Sequence, residues 1–189
     1  MAIIYEIQPN IFAKYVPKLV TVLPDGTRFS RGTPIMVQLP APIEYLTGHS
    51  ANEPPLGLHN PIVPLMSDEL IDALRDAGVD NLQCFPANVK SRVDGTVWKN
   101  YQSVNIIGLV ACADHNASSS TKIIDRPGAP DMPLQAFEKL RVDTSRARDF
   151  LMFRLAESPM VILVVQSVVE HLRKLRSDEE WGITLDARS

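Results

Sequence analysis

Fifteen prolines interrupt this chain of 189 residues, and ten of them fall before residue 65. Proline has no amide hydrogen to donate and its ring blocks a helix interior. The first third therefore cannot be a helical bundle, and it reads as short strands joined by turns and loops. Met1 to Ile7 and Lys18 to Leu23 have the apolar content of strands, and Pro24-Asp25-Gly26-Thr27 reads as a turn. Residues 39–64 hold six prolines and two glycines and read as an extended surface loop.

Beyond Pro61 the pattern changes. Ser67 is a suitable N-cap, Asp68 and Glu69 suit the positive end of a helix dipole, and Leu70, Ile71, Leu74 and Ala77 recur at helical spacing. Gly78 then ends the helix. Leu82 to Pro86 and Val97 to Tyr101 read as strands around an Asp94-Gly95 hairpin turn. Val104 to Ala113 is nearly all apolar and reads as one central strand buried on both faces. Residues 114–121 and Pro127 to Pro133 read as loops. Lys139 to Asp143, Phe150 to Leu155 and Val161 to Val164 read as strands, Gln166 to Arg176 as a helix, and Gly182 to Asp186 as a last strand.

A shift of 98 residues lays Val63 on Val161, Leu65 on Leu163, Leu70 on Val168, Ile71 on Val169 and Leu74 on Leu172. Both segments read strand, helix, strand. The predicted fold class is α+β: one domain over 1–189, with an irregular proline-rich region at 1–61 and a core at 62–189. That core is a mixed sheet carrying two strand–helix–strand units.

Composition excludes some functions. Nineteen basic against twenty-two acidic side chains give a net charge of −3, without the basic footprint of a nucleic-acid binder. Arg173, Lys174 and Arg176 are followed at once by Asp178, Glu179 and Glu180. The longest apolar run, Met160 to Val165, is far short of the roughly 20 residues that cross a bilayer. The opening residues lack a basic start and a long apolar core, so no secretory signal is expected. Cys84 and Cys112 lie in apolar stretches and suggest reduced, buried thiols in a cytoplasmic protein.

The search for chemistry is thin. His49, His59, His115 and His171 include no pair at metal-ligand spacing, and Cys112-x-x-His115 offers two ligands where a zinc site needs three or four. Asp114, His115 and Ser118 to Ser120 are too close in sequence to converge as a triad, and no G-x-S-x-G elbow is present. Nine scattered glycines form no phosphate loop. No cofactor and no catalytic residue is assigned. One surface feature stands out: Asp68, Asp72 and Asp76 are four apart and so form an acidic stripe on the first helix. Residues 65–135 carry nine acids and six bases, whereas the flanking regions are each neutral. The stripe reads as a solvated helix face or as a docking surface for a basic partner, and the 39–64 loop is the other candidate for an interface.

Three blocks of residues in order resemble a known family. The first is Val63, Ser67, Leu70 and Leu74, then Gly78-Val79-Asp80 and Leu82-Gln83-Cys84-Phe85-Pro86. The second is Tyr101-Gln102-Ser103-Val104-Asn105-Ile106, then Ala113-Asp114 and Ser118. The third is Phe153-Arg154-Leu155, Pro159, Val161-Ile162-Leu163-Val164 and Gly182. Together they resemble the myxobacterial-type immunity family of bacterial polymorphic toxin systems, over about residues 62–185. The chain departs from the family at Val165-Gln166, where a serine and a glutamate often open the last helix. The resemblance implies a protein without a catalytic centre that binds and neutralises a cognate toxin domain. Two other classes compete with it. One is a non-catalytic small-molecule or scaffold-binding module. The other is an enzyme with a pocket around Cys112, Asp114 and His115.

Overall fold

The computed structural model describes residues 3–10, 12–126, 129–147 and 149–188. In chain order these form β1 (Ile4–Pro9), β2 (Lys18–Leu19), β3 (Ile43–Thr47), β4 (Leu58–His59), β5 (Leu65–Ser67), α1 (Asp68–Asp76), β6 (Leu82–Ser91) and β7 (Val97–Ile106). There follow β8 (Leu109–Val110), β9 (Ser119–Arg126), β10 (Ala129–Lys139), a 3-10 turn (Thr144–Arg146), β11 (Met152–Leu155), β12 (Ile162–Val165), α2 (Gln166–Leu175), α3 (Asp178–Trp181) and β13 (Ile183–Ala187).

Local chemistry sets the helix limits. Ser67 Oγ accepts the Leu70 amide at 3.2 Å and starts α1. Gly78 ends it at φ +95°, in the left-handed region that a side chain disfavours. The Val165 side chain cannot cap α2, and the chain enters that helix through the Gln166 amide, which bonds the Ile3 carbonyl at 2.9 Å. The α3 turn has a capping box, in which Ser177 and Glu180 satisfy each other's amides, and it stops at Gly182 with φ +67°.

Two mixed sheets result. The first is ordered β13-β1-β12-β11-β8 and the second β2-β3-β6-β7-β5-β4, while β9 and β10 pair as a separate two-stranded ribbon. The α+β class and the two strand–helix–strand units are present, one unit in each sheet rather than both in a single one. In the second sheet β5 and β6 both run antiparallel to β7, which lies between them. In the first, β12 and β13 both run antiparallel to β1. The 98-residue shift maps β5 onto β12 and Asp68, the first residue of α1, onto Gln166, the first of α2.

The two helices pack on each other and on both sheets. Leu70, Ile71 and Leu74 of α1 and Val168, Val169 and Leu172 of α2 share one core with Val104 and Ile106 of the second sheet and Ile7, Met152 and Val164 of the first. Each such side chain, fully buried, contributes about 2 kcal/mol. The outer faces carry their own clusters, around Phe153, Leu155 and Leu163 on the first sheet and around Ile43, Tyr45 and Val89 on the second.

Several expectations are corrected. Residues 39–64 are not a loop throughout, because β3 and β4 lie there and bury Ile43, Tyr45 and Leu58 completely. The apolar run 104–113 is not one strand. It breaks at Ile107-Gly108, where Gly108 has φ +126°, and the chain passes from β7 in the second sheet to β8 in the first. Lys139 is the end of β10, and Val142 makes only an isolated bridge to Ala113. Ser119 to Thr121 belong to β9, and residues 129–133 to β10, so the expected loops there shrink. Positions 127 and 128 of the second loop lie outside the described residues, as do Met1 and Ala2 of the first expected strand. The proline-rich third contributes to both sheets, with β1 in the first and β2 to β4 in the second.

Candidate functional site

The three acids of the α1 stripe have different surroundings. Asp68 is half-buried, and its Oδ1 accepts a 2.7 Å hydrogen bond from Gln102 Nε2 on β7. Asp72 is exposed and 3.9 Å from Arg75 Nη1. Asp76 is exposed. Glu69 extends the acidic surface, but it is paired with Arg176 beyond the end of α2. Arg75 also reaches the sheet, with Nη2 3.6 Å from Cys84 Sγ. Burial pushes the Cys84 thiol up, and the charges of Asp68 and Asp72 push it the same way against Arg75. The solvent-facing part of the stripe is therefore Asp72 and Asp76, while Asp68 ties the helix to β7.

Cys112, Asp114 and His115 do not converge. Cys112 is fully buried, and its thiol is pushed up to about 12, first by burial and then by Glu157 and Asp143. A thiol so disposed is neither a nucleophile nor a ready metal ligand. Asp114 Oδ1 accepts the amides of Asn116 at 2.9 Å and Ala117 at 3.1 Å, which makes it a loop cap. The His115 side chain is 55% exposed, with Nε2 3.8 Å from the buried carboxylate of Glu157. Asp114 and His115 line a shallow cavity of about 310 Å³ with Asp143 and Arg146, and Cys112 is not part of its wall. Among the described residues no three His, Cys, Asp or Glu side chains are gathered to hold a metal ion.

A larger cavity lies elsewhere. Pro9, Ala13, Val16, Pro61, Met160 and Val161 form most of a wall enclosing about 530 Å³, a volume within the usual range of ligand pockets. Val16 and Met160 are largely exposed, and so are Phe12 and Ile62 in the same two segments of chain. Glu6 reaches this cavity too. It is nearly buried and paired with Arg188, whose Nη2 is 2.7 Å away. A smaller cleft of about 260 Å³ is lined by Pro54, Pro55, Trp98, Tyr101 and Trp181, with the Glu69–Arg176 pair at its edge.

Two buried polar features were not singled out as sites in the sequence. Arg154, within the Phe-Arg-Leu block on β11, has no exposed surface and, among the described residues, no carboxylate partner. Its Nη1 donates to the Pro61 and Pro159 carbonyls, while Nε and Nη2 have no acceptor among those residues. Burial pulls its guanidinium down to about 10. The second is a pair of imidazoles, His49 and His59, whose ring centroids are 6.2 Å apart. An arginine between apolar strand residues was the available signal for the first. Nothing in a ten-residue spacing pointed to the second.

Among the described residues no helix is long and apolar enough to cross a membrane. The chain matches no protein-family model and no curated protein.

Proposed function

We propose that the chain is an immunity protein of a bacterial polymorphic toxin system. It acts in the cytoplasm of the producing cell and neutralises a cognate toxin domain by stoichiometric binding, without catalysis or a cofactor. The observation that carries this reading is the ordered resemblance over residues 62–185, together with the places its residues occupy. Gly78 ends a helix, Phe153 and Val104 fill cores, and Asp114 caps a loop. Those are scaffold positions, as expected where a shared fold presents a variable binding surface. Occlusion of the toxin's active site, or locking of an inactive state, would be the mechanism.

Asp72 and Asp76 are the residues we place at the interface, with Asp68 holding their helix to the sheet. Exposed charges of this kind mainly accelerate encounter with a basic surface and exclude wrong partners. The test is co-purification of the tagged chain with the C-terminal domain encoded immediately upstream, together with rescue of growth. A stable complex that rescues is expected. Asp72→Lys with Asp76→Lys should then lower the association rate at low salt about tenfold. An unchanged rate removes the stripe from the interface.

The cavity of about 530 Å³ favours a second reading, a small-molecule-binding module. That reading gains if the upstream domain is toxic and yet forms no complex.

A further inference from the structure

His49 and His59 are 6% and 2% exposed, and their rings meet edge to face. His49 Nδ1 lies 2.6 Å from Thr47 Oγ1 at the end of β3. Tyr15 also packs against the His49 ring edge to face, with centroids 5.3 Å apart. That seat exists because residue 48 is glycine: a Cβ there would stand 2.6 Å from Tyr15 Cδ1. Lys14 lies over the Tyr15 ring at 4.9 Å. Glu53 is the acid whose charge reaches both His49 and Lys14. On β4, the His59 ring bonds the Leu56 carbonyl, and its Nε2 is buried with no partner among the described residues.

That bare nitrogen is where a proton would add. The new N–H would find no acceptor, and the new charge would sit in apolar surroundings beside a second imidazole. Burial first, and then His49, pull the His59 ring down to about 4, while burial also lowers His49. The simplest relief is local opening that admits water. Asn60 follows His59 directly at φ +52°, and its Oδ1 accepts the Ile62 amide at 2.9 Å, so movement of His59 carries Asn60 and Pro61 with it. Asn60 and Pro61 line the cavity of about 530 Å³ together with Ala13 and Val16, which lie on either side of Tyr15 in sequence.

We propose that His49 and His59 form an acid-operated latch, in which a proton on His59 frees the strap 12–16 from its seat on Gly48 and His49 and opens the cavity walled by Ala13, Val16, Asn60 and Pro61. The latch is independent of what the cavity binds. An open state in which His59 titrates normally, near 6.5, gives an opening equilibrium about thirtyfold larger at pH 5 than at pH 7.5. Lys14, whose pKa is raised, remains charged over this interval and does not supply the transition.

Hydrogen exchange, with rates normalised to the intrinsic rate at each pH, tests this on the full chain. Protection of 12–16 and 48–59 should fall at least tenfold from pH 7.5 to pH 5, with the β6–β7 ladder unchanged. His59→Phe keeps the ring's shape without a titrating nitrogen and should abolish the fall. A nuclear magnetic resonance titration of the His59 ring in the unmodified chain guards against a variant that fails to fold. Uniform protection across this interval, or a fall that persists in His59→Phe, overturns the latch. So does a His59 ring that titrates near 6.5 with the strap still protected.

Discussion

Arg154 Nη1 donates to the carbonyl of Pro61, 93 residues earlier in the chain, at 3.1 Å, and to Pro159 at 2.5 Å. One guanidinium thus joins β11 of the first sheet to the segment that leads into β5 of the second. Arg154→Ala should cost about 3–5 kcal/mol, since it opens a cavity and strands the Pro61 carbonyl. Arg154→Met fills the space and removes a buried, unneutralised charge, so it should cost less than half as much. Urea midpoints of the three proteins measure both. Equal losses for Ala and Met would mean that the hydrogen bonds dominate over volume and charge.

The two thiols should differ in reactivity. Cys112 is buried and held near 12, so at pH 8 it should resist a thiol-specific disulfide reagent until denaturant is added. Cys84 is half-buried with a raised thiol, and it should react first but more slowly than free cysteine. Cys84→Ser should leave no thiol that reacts in the native protein. A fast-reacting Cys112 would revive an enzymatic role for that region.

Two glycines with positive φ make a paired test. At Gly78 an added Cβ meets only the tip of Leu151 at 3.1 Å, so Gly78→Ala should cost about 1 kcal/mol, from backbone strain. At Gly182 the added atom would lie 2.3 Å from Leu56 Cβ, where something must move. Gly182→Ala should therefore cost about 3 kcal/mol, adding overpacking to the same strain. Thermal unfolding of both variants checks the order.

Alkaline pH should destabilise the second sheet. Burial pushes the Tyr45 hydroxyl up to about 12, against its 2.7 Å hydrogen bond with Ser103, and burial raises Tyr101 as well. In the unfolded chain both ionise near 10, so the unfolded state loses its protons first. Their contribution is complete below pH 10 and is lost as pH climbs toward the folded values. The fall from pH 9 to pH 11 should be about 1 kcal/mol for each tyrosine. Tyr45→Phe should flatten the dependence measured by denaturant unfolding.

α1 was legible because cap, periodicity and stop agree at Ser67, Leu70 and Gly78, and α2, which has no side-chain cap, by the helical spacing of Val168, Val169 and Leu172. Two strands in the proline-rich region were not. Ile43, Tyr45 and Thr47 are buried in alternation with half-buried Glu44 and Leu46, a period-2 signal obscured by the prolines on either side. The β9–β10 ribbon was missed for the opposite reason. Ser119 to Ile124 are largely exposed, so no alternation marks them as a strand. At the chemical candidates, Asp114 acts as the loop cap its polar neighbours imply, but Glu157, which faces His115, is 42 positions away in sequence. The buried Arg154 and the His49–His59 pair depend on long-range packing, which residue order alone does not disclose.

β1 is the middle strand of the unit whose other members are β12 and β13, and the Glu6–Arg188 pair closes that arrangement. β1 must therefore wait for residue 187 before both its edges are covered. At about 5–20 residues per second that is a delay of roughly 10 to 40 s. Once residue 165 is made β1 can pair with β12, but the edge that β13 covers stays open until that strand is complete. Loss of residues 4–9 would part β13 from the rest of the first sheet, whereas loss of residues 183–187 would bare one edge of β1.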